Sequence, residues 1–481
     1  MDELRIQTKF CIVSPARLLQ PAQLVVRHGR VVDVVQGRPY KPHVDLGETV
    51  LMPGLVNSHT HLEFSQLKQP FPAGENFPAW ISQVVRYRAE QQAQGASVEP
   101  HTPARTSSHD AERRATLQAA SNQSHNVQRS STYDAERRAT LKMGLQEAFC
   151  TGTALLGDIV TAPWMPGDYP DTTRFVEDIA SRFSRSASEM RSPRLSGDLW
   201  REHLQPVMVP RVLPFLELIG LTAERCSASW QWSRQAQAAS HSELQLGCGI
   251  TPHAPYSLHL PTVAAALEQL SASTRVAMHV AESREELQWC EHQTGPFRDA
   301  FERLGLSTVS TPPSILQCIE LLARFQYALL IHGNYLTQAQ IERIAAAANI
   351  AVVYCPRTHV HFGHAPYPWQ ALRAAGVPVL LGTDSRASNP SLSLWDEVTI
   401  ASKLHPQCSP SQWLESVTLA PARALGLADD FGSLQVGRWA SAVALPARHD
   451  WTVDNLLEAL CARSAHELAM RPLSAMLSEC S

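Results

Sequence analysis

Lysine is scarce in this chain of 481 residues. The lysines are Lys9, Lys41, Lys68, Lys142 and Lys403. The net charge of −4 gives no basic surface for nucleic acid or for an anionic membrane, so neither is expected as a partner. No apolar run approaches the ~20 residues of a membrane-spanning helix. Residues 1–5 lack the positively charged start, followed by an apolar segment, that is typical of a secretory signal.

Cysteine pairs of the Cys-x-x-Cys type are also absent, although the chain has ten cysteines. This absence excludes a zinc site of that thiolate type, and in a chain of this length it argues against a disulfide framework. We therefore expect reduced thiols and a cytoplasmic protein. Hydrophobic residues make up 44% of the chain, which is enough for a sizeable core. A small-molecule substrate and a homo-oligomer are both compatible with this composition.

The two ends of the chain have the character of a small β domain. Short β-branched runs fill residues 7–35, as in strands joined by tight turns. Residues 440–445 form another apolar run, which is able to return to the N-terminal sheet. We expect residues 1–52 and 431–481 to flank a catalytic domain at 53–430, with the C-terminal tail unplaced.

Residues 93–133 differ from their surroundings, because they are rich in Ser, Gln, Arg and His and nearly free of large apolar groups. The eight residues at 110–117 recur unchanged at 134–141. One pair of copies is too few for a stacked repeat protein. We interpret residues 93–133 as a flexible surface insert. The second copy continues into apolar residues and is expected to be part of a helix.

Strand and helix patterns alternate through the rest of the chain. The first predicted strand ends at His59 and His61, and the others lie at 154–160, 206–212, 246–250, 275–280, 327–332, 351–355 and 377–382. Helical patterns lie between several of them, at 260–270, 283–293, 338–348 and 369–375. Eight strands with intervening helices predict an α/β fold, a (β/α)8 TIM barrel with parallel strands.

Polar residues collect at the carboxyl ends of these strands, where barrel enzymes build their active sites. Side chains alternate along a strand, so His59 and His61 point to the same side. The other candidates are His253 after the fourth strand, His279 and Glu282 after the fifth, His332 at the sixth and Asp384 at the eighth.

These residue types have the chemistry of a metal hydrolase. Three neutral imidazoles and one carboxylate suit Zn2+ or Fe2+ and leave an open position for water. Such an ion lowers the pKa of the water, so that metal-bound hydroxide exists near neutral pH. Glu282 lies just past His279 and is a candidate proton shuttle.

The motifs resemble the amidohydrolase superfamily, in particular its deaminase and chlorohydrolase-like branch. The resemblance rests on five segments in the order of that family, Pro-Gly-Leu-Val-Asn-Ser-His-Thr-His-Leu-Glu at 53–63, Pro-His-Ala-Pro-Tyr at 252–256, His-Val-Ala-Glu-Ser at 279–283, His-Gly at 332–333 and Gly-Thr-Asp-Ser at 382–385. It covers most of residues 50–440. It implies a TIM barrel joined to a small composite β-sandwich made from both chain ends.

The resemblance also implies a role for each candidate residue. The implied metal ligands are His59, His61, His279 and Asp384. Glu282 would move protons between the water and the leaving nitrogen. His332 and Asp384 would hold the attacking hydroxide, and His253 would contact the substrate.

The scarcity of lysine bears on the number of metal ions. Members of the superfamily that bind two ions usually bridge them with a carboxylated lysine on the fourth strand. No lysine occurs between Lys142 and Lys403, so a lysine-bridged pair is excluded. We expect one divalent ion, Zn2+ in preference to Fe2+.

Some finer features resemble aminodeoxyfutalosine deaminases, and they also fit adenosine-type and guanine deaminases. They are the segment 61–65, Trp80, and the segments 355–359 and 362–364. Glu63 is a candidate for recognition of a substrate amine or ring nitrogen, or alternatively for a hydrogen bond to backbone near the first loop. His359, His361 and His364 are candidates for the mouth of the pocket, or for a second site.

We therefore predict a metal-dependent deaminase of a purine- or nucleoside-like aromatic amine. Metal-bound hydroxide would attack the carbon that carries the amine. A cyclic amidase or a chlorohydrolase would use the same hydroxide and is the alternative enzyme. A catalytically silent binding protein is a third alternative, which the complete set of ligands and Glu282 argue against.

Overall fold

The computed structural model describes residues 3–94, 131–170, 209–244, 246–306 and 311–478, with residues 175, 202–204 and 207 between two of these ranges. Most of the predicted insert at 93–133, including the first copy of the repeat, lies outside the described residues. The second copy lies within the helix Ser131–Cys150, as predicted.

Two small sheets contain the N-terminal strands. These strands are Leu4–Thr8 (β1), Phe10–Ser14 (β2), Arg17–Leu19 (β3), Ala22–Arg27 (β4), Arg30–Gln36 (β5), Val44–Asp45 (β6) and Thr49–Pro53 (β7). One sheet has the strand order β5-β4-β1-β6. The other joins β3, β2 and β7 to two strands from the far end of the chain, Ala442–Pro446 and Arg471–Pro472.

Both small sheets contribute to one apolar cluster, which includes Ile6 and Leu24 from the first sheet and Cys11 and Ala444 from the second. Strand β7 leads through Gly54 into the barrel. A Cβ at this glycine would lie 2.5 Å from the Cβ of Ala154. A larger residue at position 54 would therefore push this segment away from Ala154. The short Pro-Gly step of the first motif is thus explained by close packing between the small sheets and the barrel.

Eight parallel strands curl into a barrel. They are Leu55–His61 (β8), Thr153–Val160 (β9), Arg211–Leu218 (β10), Gly249–Pro252 (β11), Arg275–Val280 (β12), Tyr327–His332 (β13), Ile350–Tyr354 (β14) and an eighth strand in two segments, Val379–Leu381 (β15) and Asp384–Ser385 (β16). Segment β15 pairs with β14, and β16 pairs with β8, so the last strand joins the first. The predicted parallel α/β barrel is confirmed as a TIM-like barrel.

The third strand differs from its prediction. The β-branched run at 206–212 was expected to form it, but the strand is Arg211–Leu218. Pro214 lies inside this strand, opposite Asp158 of β9. The predicted run, which itself contains Pro206 and Pro210, overlaps the observed strand only at Arg211 and Val212.

Helices surround the barrel and follow most of its strands. The described helices are Phe77–Gln94, Ser131–Cys150, Ala223–Glu243, Leu260–Leu267, Arg284–His292, Pro296–Arg303, Ile315–Leu322, Gln338–Ala347, Pro356–His361, Trp369–Ala374, Leu394–Leu404, Pro410–Ser416, Leu419–Ala424, Leu456–Cys461 and Leu473–Ser478. Within the described part of the chain, every helix is too short or too polar to cross a lipid bilayer.

Candidate active site and metal centre

The first barrel strand brings two imidazoles to the same face, as the alternation of side chains predicted. The ring centres of His59 and His61 lie 4.9 Å apart, and both side chains are buried. The preceding Asn57 is also buried, and its Nδ2 donates to Thr383 Oγ1 at 2.8 Å. This hydrogen bond ties the first strand to the eighth at the level of the two histidines.

A third imidazole comes from the end of β12. His279 Nδ1 lies 3.0 Å from the backbone oxygen of His253, so the ring N–H is donated there and Nε2 is left with a lone pair. Ring nitrogens of His59, His61 and His279 lie within 4.8 Å of one another. Two strands distant in sequence therefore direct three imidazole nitrogens to one point.

Asp384 completes this group from the eighth strand. Its Oδ1 lies 3.5 Å from His59 Nε2 and 3.7 Å from His61 Nε2. Its Oδ2 accepts hydrogen bonds from Thr358 Oγ1 at 3.2 Å and Ser388 Oγ at 2.9 Å. Burial alone raises the pKa of Asp384, but contact with His59 and the neighbouring imidazoles outweighs burial and holds this pKa well below its usual range.

The donor atoms in this group suit a divalent cation. His59 Nδ1 and Nε2 and His61 Nδ1 are buried and have no hydrogen-bond partner within the described residues. Burial lowers the pKa of His61 and of His279 well below the usual value, so these rings are neutral. Buried imidazole nitrogens without partners, beside an ionised carboxylate, suit Zn2+ in a catalytic site. The residues present therefore fit a metal ion.

Glu282 and His332 lie beside the three imidazoles. His332 Nε2 is 3.4 Å from Glu282 Oε1, and the rings of His332 and His279 are 5.5 Å apart. Burial raises the pKa of Glu282 well above its usual value, and the negative charges of Asp384 and Glu286 add to this shift. A carboxyl group with a raised pKa keeps its proton more readily and is therefore better suited to act as a general acid.

The backbone is strained where several of these residues sit. His332, Asp384 and Ala281 have φ angles of 67°, 56° and 55°, in the left-handed region that residues other than glycine rarely adopt. Such conformations cluster at functional sites, where the surrounding structure maintains them.

The predicted substrate residues are His253 and Glu63, and the ring centre of His253 lies 5.2 Å from that of His279. His253 Nδ1 is 2.6 Å from Ser257 Oγ, and burial lowers the pKa of His253 to about 3. Glu63 accepts a hydrogen bond from Arg88 Nη2 at 2.6 Å. The predicted substrate contact of Glu63 thus involves a carboxylate that is already ion-paired.

The structure adds residues that no motif indicated. Glu286 accepts hydrogen bonds from the backbone N–H groups of Ala281 and Glu282, at 2.8 and 2.7 Å. Asn334 Nδ2 donates to the backbone oxygen of Glu282 at 2.9 Å. A carboxylate in the first turn of a helix that starts at a serine cap is a signal that could have indicated Glu286.

Glu217 is a second missed residue, near the end of β10. It is 1% exposed, and burial raises its pKa to about 7. It pairs with Thr251 on the neighbouring strand β11, and Thr251 is two residues before His253 in the chain. Because the third strand was predicted in the wrong segment, nothing in the sequence pattern led us to expect this carboxylate in the site.

Two of the histidines that were predicted at the mouth of the pocket, His359 and His364, bond to other residues of the site region. His359 Nδ1 is 3.2 Å from Asn334 Oδ1, and His364 Nδ1 is 3.1 Å from Tyr335 Oη. His364 and Tyr335 help to line a cavity of about 370 Å³, together with Phe77 and Arg284. Arg284 and Tyr335 follow Glu282 and His332 closely in the chain, so the cavity is at the same end of the barrel.

Metal-dependent hydrolases place their sites on the carboxyl ends of barrel strands in this way, and comparison with known proteins indicates which group of them this chain resembles. Residues 223–460 match the model of the Amidohydrolase family. This match agrees with the family that the motifs resemble, and four of the five motifs lie within it.

Curated relatives of the chain include deaminases. An aminodeoxyfutalosine deaminase of a Nitratiruptor species is 22% identical over 450 residues, which are 90% of this chain and 89% of that protein. A 5-methylthioadenosine/S-adenosylhomocysteine deaminase of Nitratidesulfovibrio vulgaris is 24% identical over 90% of this chain and 80% of its own length. An aminodeoxyfutalosine deaminase of Deinococcus radiodurans is 33% identical, over 38% of this chain and 46% of that protein.

Solved structures of similar fold cover nearly the whole chain. Helicobacter pylori aminofutalosine deaminase in complex with methylthio-coformycin has a TM-score of 0.65 at 18% identity and covers 96% of both chains. An adenosine deaminase from Xanthomonas campestris with bound zinc has a TM-score of 0.61 at 19% identity, with 98% and 92% covered. The zinc complex of an atrazine chlorohydrolase from Arthrobacter aurescens has a TM-score of 0.62 at 16% identity, with 95% and 91% covered.

The family and the relatives agree with the predicted class of enzyme. The amidohydrolase match and the deaminase relatives support a hydrolase that acts on carbon–nitrogen bonds other than peptide bonds. The structural similarities establish the TIM-like fold.

Proposed function

We propose that the protein hydrolytically removes the amino group of a purine- or nucleoside-like aromatic amine, of the aminodeoxyfutalosine type. One observation carries this proposal: Glu282 and His332 form a buried pair, 3.4 Å apart, next to the three converging imidazoles. This pair supplies a proton carrier beside a site that suits a metal ion. The deaminases among the relatives support the choice of reaction.

The proposed cofactor is one divalent ion, Zn2+ in preference to Fe2+. The residues that would hold it are His59, His61, His279 and Asp384. When bound, such an ion lowers the pKa of a water molecule and makes a nucleophile available near neutral pH. The lack of lysine between Lys142 and Lys403 supports a single ion, because no lysine is available to bridge a second one.

Asp384 and His332 would orient the attacking water. Thr358 and Ser388 fix one oxygen of Asp384, so the other oxygen keeps its direction toward the imidazoles. His332 is neutral because burial lowers its pKa well below the usual value, and its Nε2 faces Glu282. Both residues thus act from fixed positions, which reduces the entropy lost on reaching the transition state.

Glu282 would move the protons of the reaction. Its proton would go to the ring nitrogen next to the reacting carbon as water attacks that carbon. The carboxylate would then take one proton from the attacking oxygen and give it to the amine as the carbon–nitrogen bond breaks, and the second proton of the water would restore Glu282 to its starting form. Glu286 and Asn334 hold the backbone on both sides of Glu282, at its N–H and at its carbonyl oxygen. The position of the Glu282 carboxyl group is therefore fixed through its own backbone.

The alternative enzyme is a chlorohydrolase or cyclic amidase on the same site. The similarity in fold to a zinc-containing atrazine chlorohydrolase is the reason for this alternative. The same nucleophile would displace chloride from a ring carbon or open a cyclic amide. The product separates the reactions, because only deamination releases ammonia.

The domain organisation is also part of the proposal. We assign residues 53–430 to the catalytic barrel and residues 1–52 and 431–481 to a composite β-sandwich. The apolar cluster shared by the two small sheets supports this assignment. The described cysteines form no disulfide bonds with one another, which agrees with the proposed cytoplasmic location.

The test is ammonia release from aminated purines, nucleosides, 5-methylthioadenosine and aminodeoxyfutalosine, with protein of measured metal content. We expect ammonia from at least one of them, and we expect Glu282→Gln to abolish release while it retains the metal. Metal-loaded protein that releases no ammonia from any of these compounds would contradict the proposal and favour the alternative enzyme.

A further inference from the structure

Glu217 is a buried carboxylate that the proposed reaction does not use. It stands one residue before the end of β10, and its side chain is 0% exposed. Neither of its carboxylate oxygens has a hydrogen-bond donor within the part of the chain that the structure describes. A buried carboxylate without donors is costly unless another molecule supplies them.

The charged neighbours of Glu217 lie beyond hydrogen-bond distance. Arg88 Nη2 is 3.8 Å from Glu217 Oε2, whereas it is 2.6 Å from Glu63 Oε1. His253 Nε2 is 3.8 Å from Glu217 Oε1. The guanidinium group is therefore committed to Glu63, and Glu217 is the carboxylate left to interact with a ligand.

A second metal ion is not expected to bind at Glu217. Glu217, His253 and His279 offer ligand atoms within 4.8 Å of one another. However, His279 Nδ1 faces the backbone oxygen of His253, so only Nε2 is free, and the first group of imidazoles needs that nitrogen. An ion at Glu217 would compete with the proposed catalytic ion for one lone pair.

The hydrogen bonds around His253 define its free nitrogen as an acceptor. The Ser257 hydroxyl donates to the backbone oxygen of Ala254 at 2.9 Å. The contact of 2.6 Å between Ser257 Oγ and His253 Nδ1 then takes its hydrogen from the ring. In the neutral imidazole this leaves Nε2 with a lone pair. Glu217 Oε1 and His253 Nε2 are thus two acceptors that face each other across 3.8 Å.

We propose that Glu217 and His253 accept the two N–H bonds of a primary amine on the ring of the substrate, and that this pair selects the amine as the leaving group. The inference rests on the proposed deamination. A primary amine carries the two donors that the two acceptors lack. The carboxylate would also favour the positive charge that develops on the departing nitrogen, because fixed charges act strongly in a buried site.

The test compares two leaving groups on one scaffold. The substrates are 5-methylthioadenosine, or whichever amine releases ammonia most rapidly, and the same compound with chlorine in place of the amine. Ammonia and chloride release are measured for the unmodified protein and for Glu217→Gln. We expect the variant to lose roughly 10- to 100-fold in kcat/KM for the amine, as for a hydrogen bond to a charged group. Chloride release, which needs no N–H acceptor, is expected to change by less than about threefold.

Two further variants separate direct contact from other effects. Glu224→Gln makes the same chemical change at an exposed position and should alter neither rate. Glu63→Gln removes the strong partner of Arg88, and an equal change in the amine-to-chloride ratio in this variant would show that Glu217 acts only through Arg88. Metal content and thermal unfolding are measured for every variant, so that a misfolded protein is recognised.

Three further outcomes would each overturn the proposed role of Glu217. Equal losses of ammonia and chloride release in well-folded Glu217→Gln would overturn the inference and leave the deaminase proposal standing. A loss that disappears when a sugar hydroxyl is removed from the substrate would assign Glu217 to that hydroxyl and also overturn it. No ammonia from any amine by metal-loaded protein would overturn both proposals.

Discussion

Glu286 Oε2 accepts the backbone N–H of Glu282 at 2.7 Å, and through this bond one buried glutamate fixes the position of another. The second oxygen of Glu286 accepts the N–H of Ala281, whose left-handed backbone turns the chain away from the fifth strand. Ser283 caps the helix that carries Glu286. The proton carrier therefore depends on a short loop held by a single carboxylate.

Glu286→Gln should impair catalysis without removing the substrate-binding groups. Glutamine has one carbonyl oxygen, so one of the two backbone hydrogen bonds is lost and Glu282 is less well placed. We expect kcat to fall by about tenfold with little change in KM, since a misplaced catalytic group chiefly raises the barrier. Steady-state kinetics of ammonia release measure this effect. Glu291→Gln, an exposed position on the same helix, is the control and should behave as the unmodified protein.

His279→Ala should lose both the metal and the activity. His279 supplies one of the three converging nitrogens, and no other described side chain is placed to replace it. We expect the loss of activity to exceed the roughly 10- to 100-fold that follows removal of an outer-shell partner. Metal analysis of the purified protein and ammonia release check the prediction together. Full metal content with full activity in this variant would refute the proposed ligand set.

Thr358→Val should weaken metal binding while the fold is kept. The substitution preserves shape and removes the hydroxyl that donates to Asp384 Oδ2 at 3.2 Å. Ser388 remains as a donor, so Asp384 keeps one of its two partners. We expect the dissociation constant for Zn2+ to rise by about tenfold, at the lower end of outer-shell effects. Competition with a chelator of known affinity measures it, and an unchanged constant would show that Ser388 alone orients Asp384.

Asp158→Asn should make stability less dependent on pH. Burial raises the pKa of Asp158 from 3.8 to about 7, although Leu62 N–H and Tyr169 Oη donate to its carboxylate. Between these values the unfolded chain has released the proton and the folded chain retains it. Folding stability conferred by this group is thus complete below pH 3.8 and is lost as the pH rises to about 7.

The same argument gives the size of the effect at Asp158. The shift corresponds to at most about 4 kcal/mol of unfolding free energy. We expect the variant to gain stability relative to the unmodified protein as the pH is raised from about 4 to 7. Denaturant unfolding at several pH values measures the difference. A difference that is constant with pH would show that Asp158 is ionised in the folded protein throughout this range.

The barrel and the residues around the proposed metal site could be predicted from the sequence because local patterns indicate both. His59 and His61 share a strand, and Asp384 follows a β-branched apolar run, so a local pattern indicates where each side chain points. Contacts between distant segments leave no such pattern. The ion pair of Glu63 with Arg88 joins residues 25 positions apart, on the first loop and on the helix that follows.

The two missed carboxylates have different explanations. Glu217 was missed because the third strand was predicted at 206–212, which ends before this residue. Glu286 was missed because acidic residues are common in the first turn of a helix. There they interact favourably with the helix dipole, whether or not they also have a role in a site. Only the folded structure shows that its carboxylate reaches back to the backbone of Glu282.

The eighth strand meets the first through the two residues Asp384 and Ser385, opposite Thr60 and His61. Thr60 Oγ1 also donates to the backbone oxygen of Asp384 at 3.0 Å. The seam of the barrel is therefore made in part by the same residues that would hold the ion. Loss of the ion would loosen this seam before any other part of the sheet, and the amide of Thr60 would exchange its hydrogen faster.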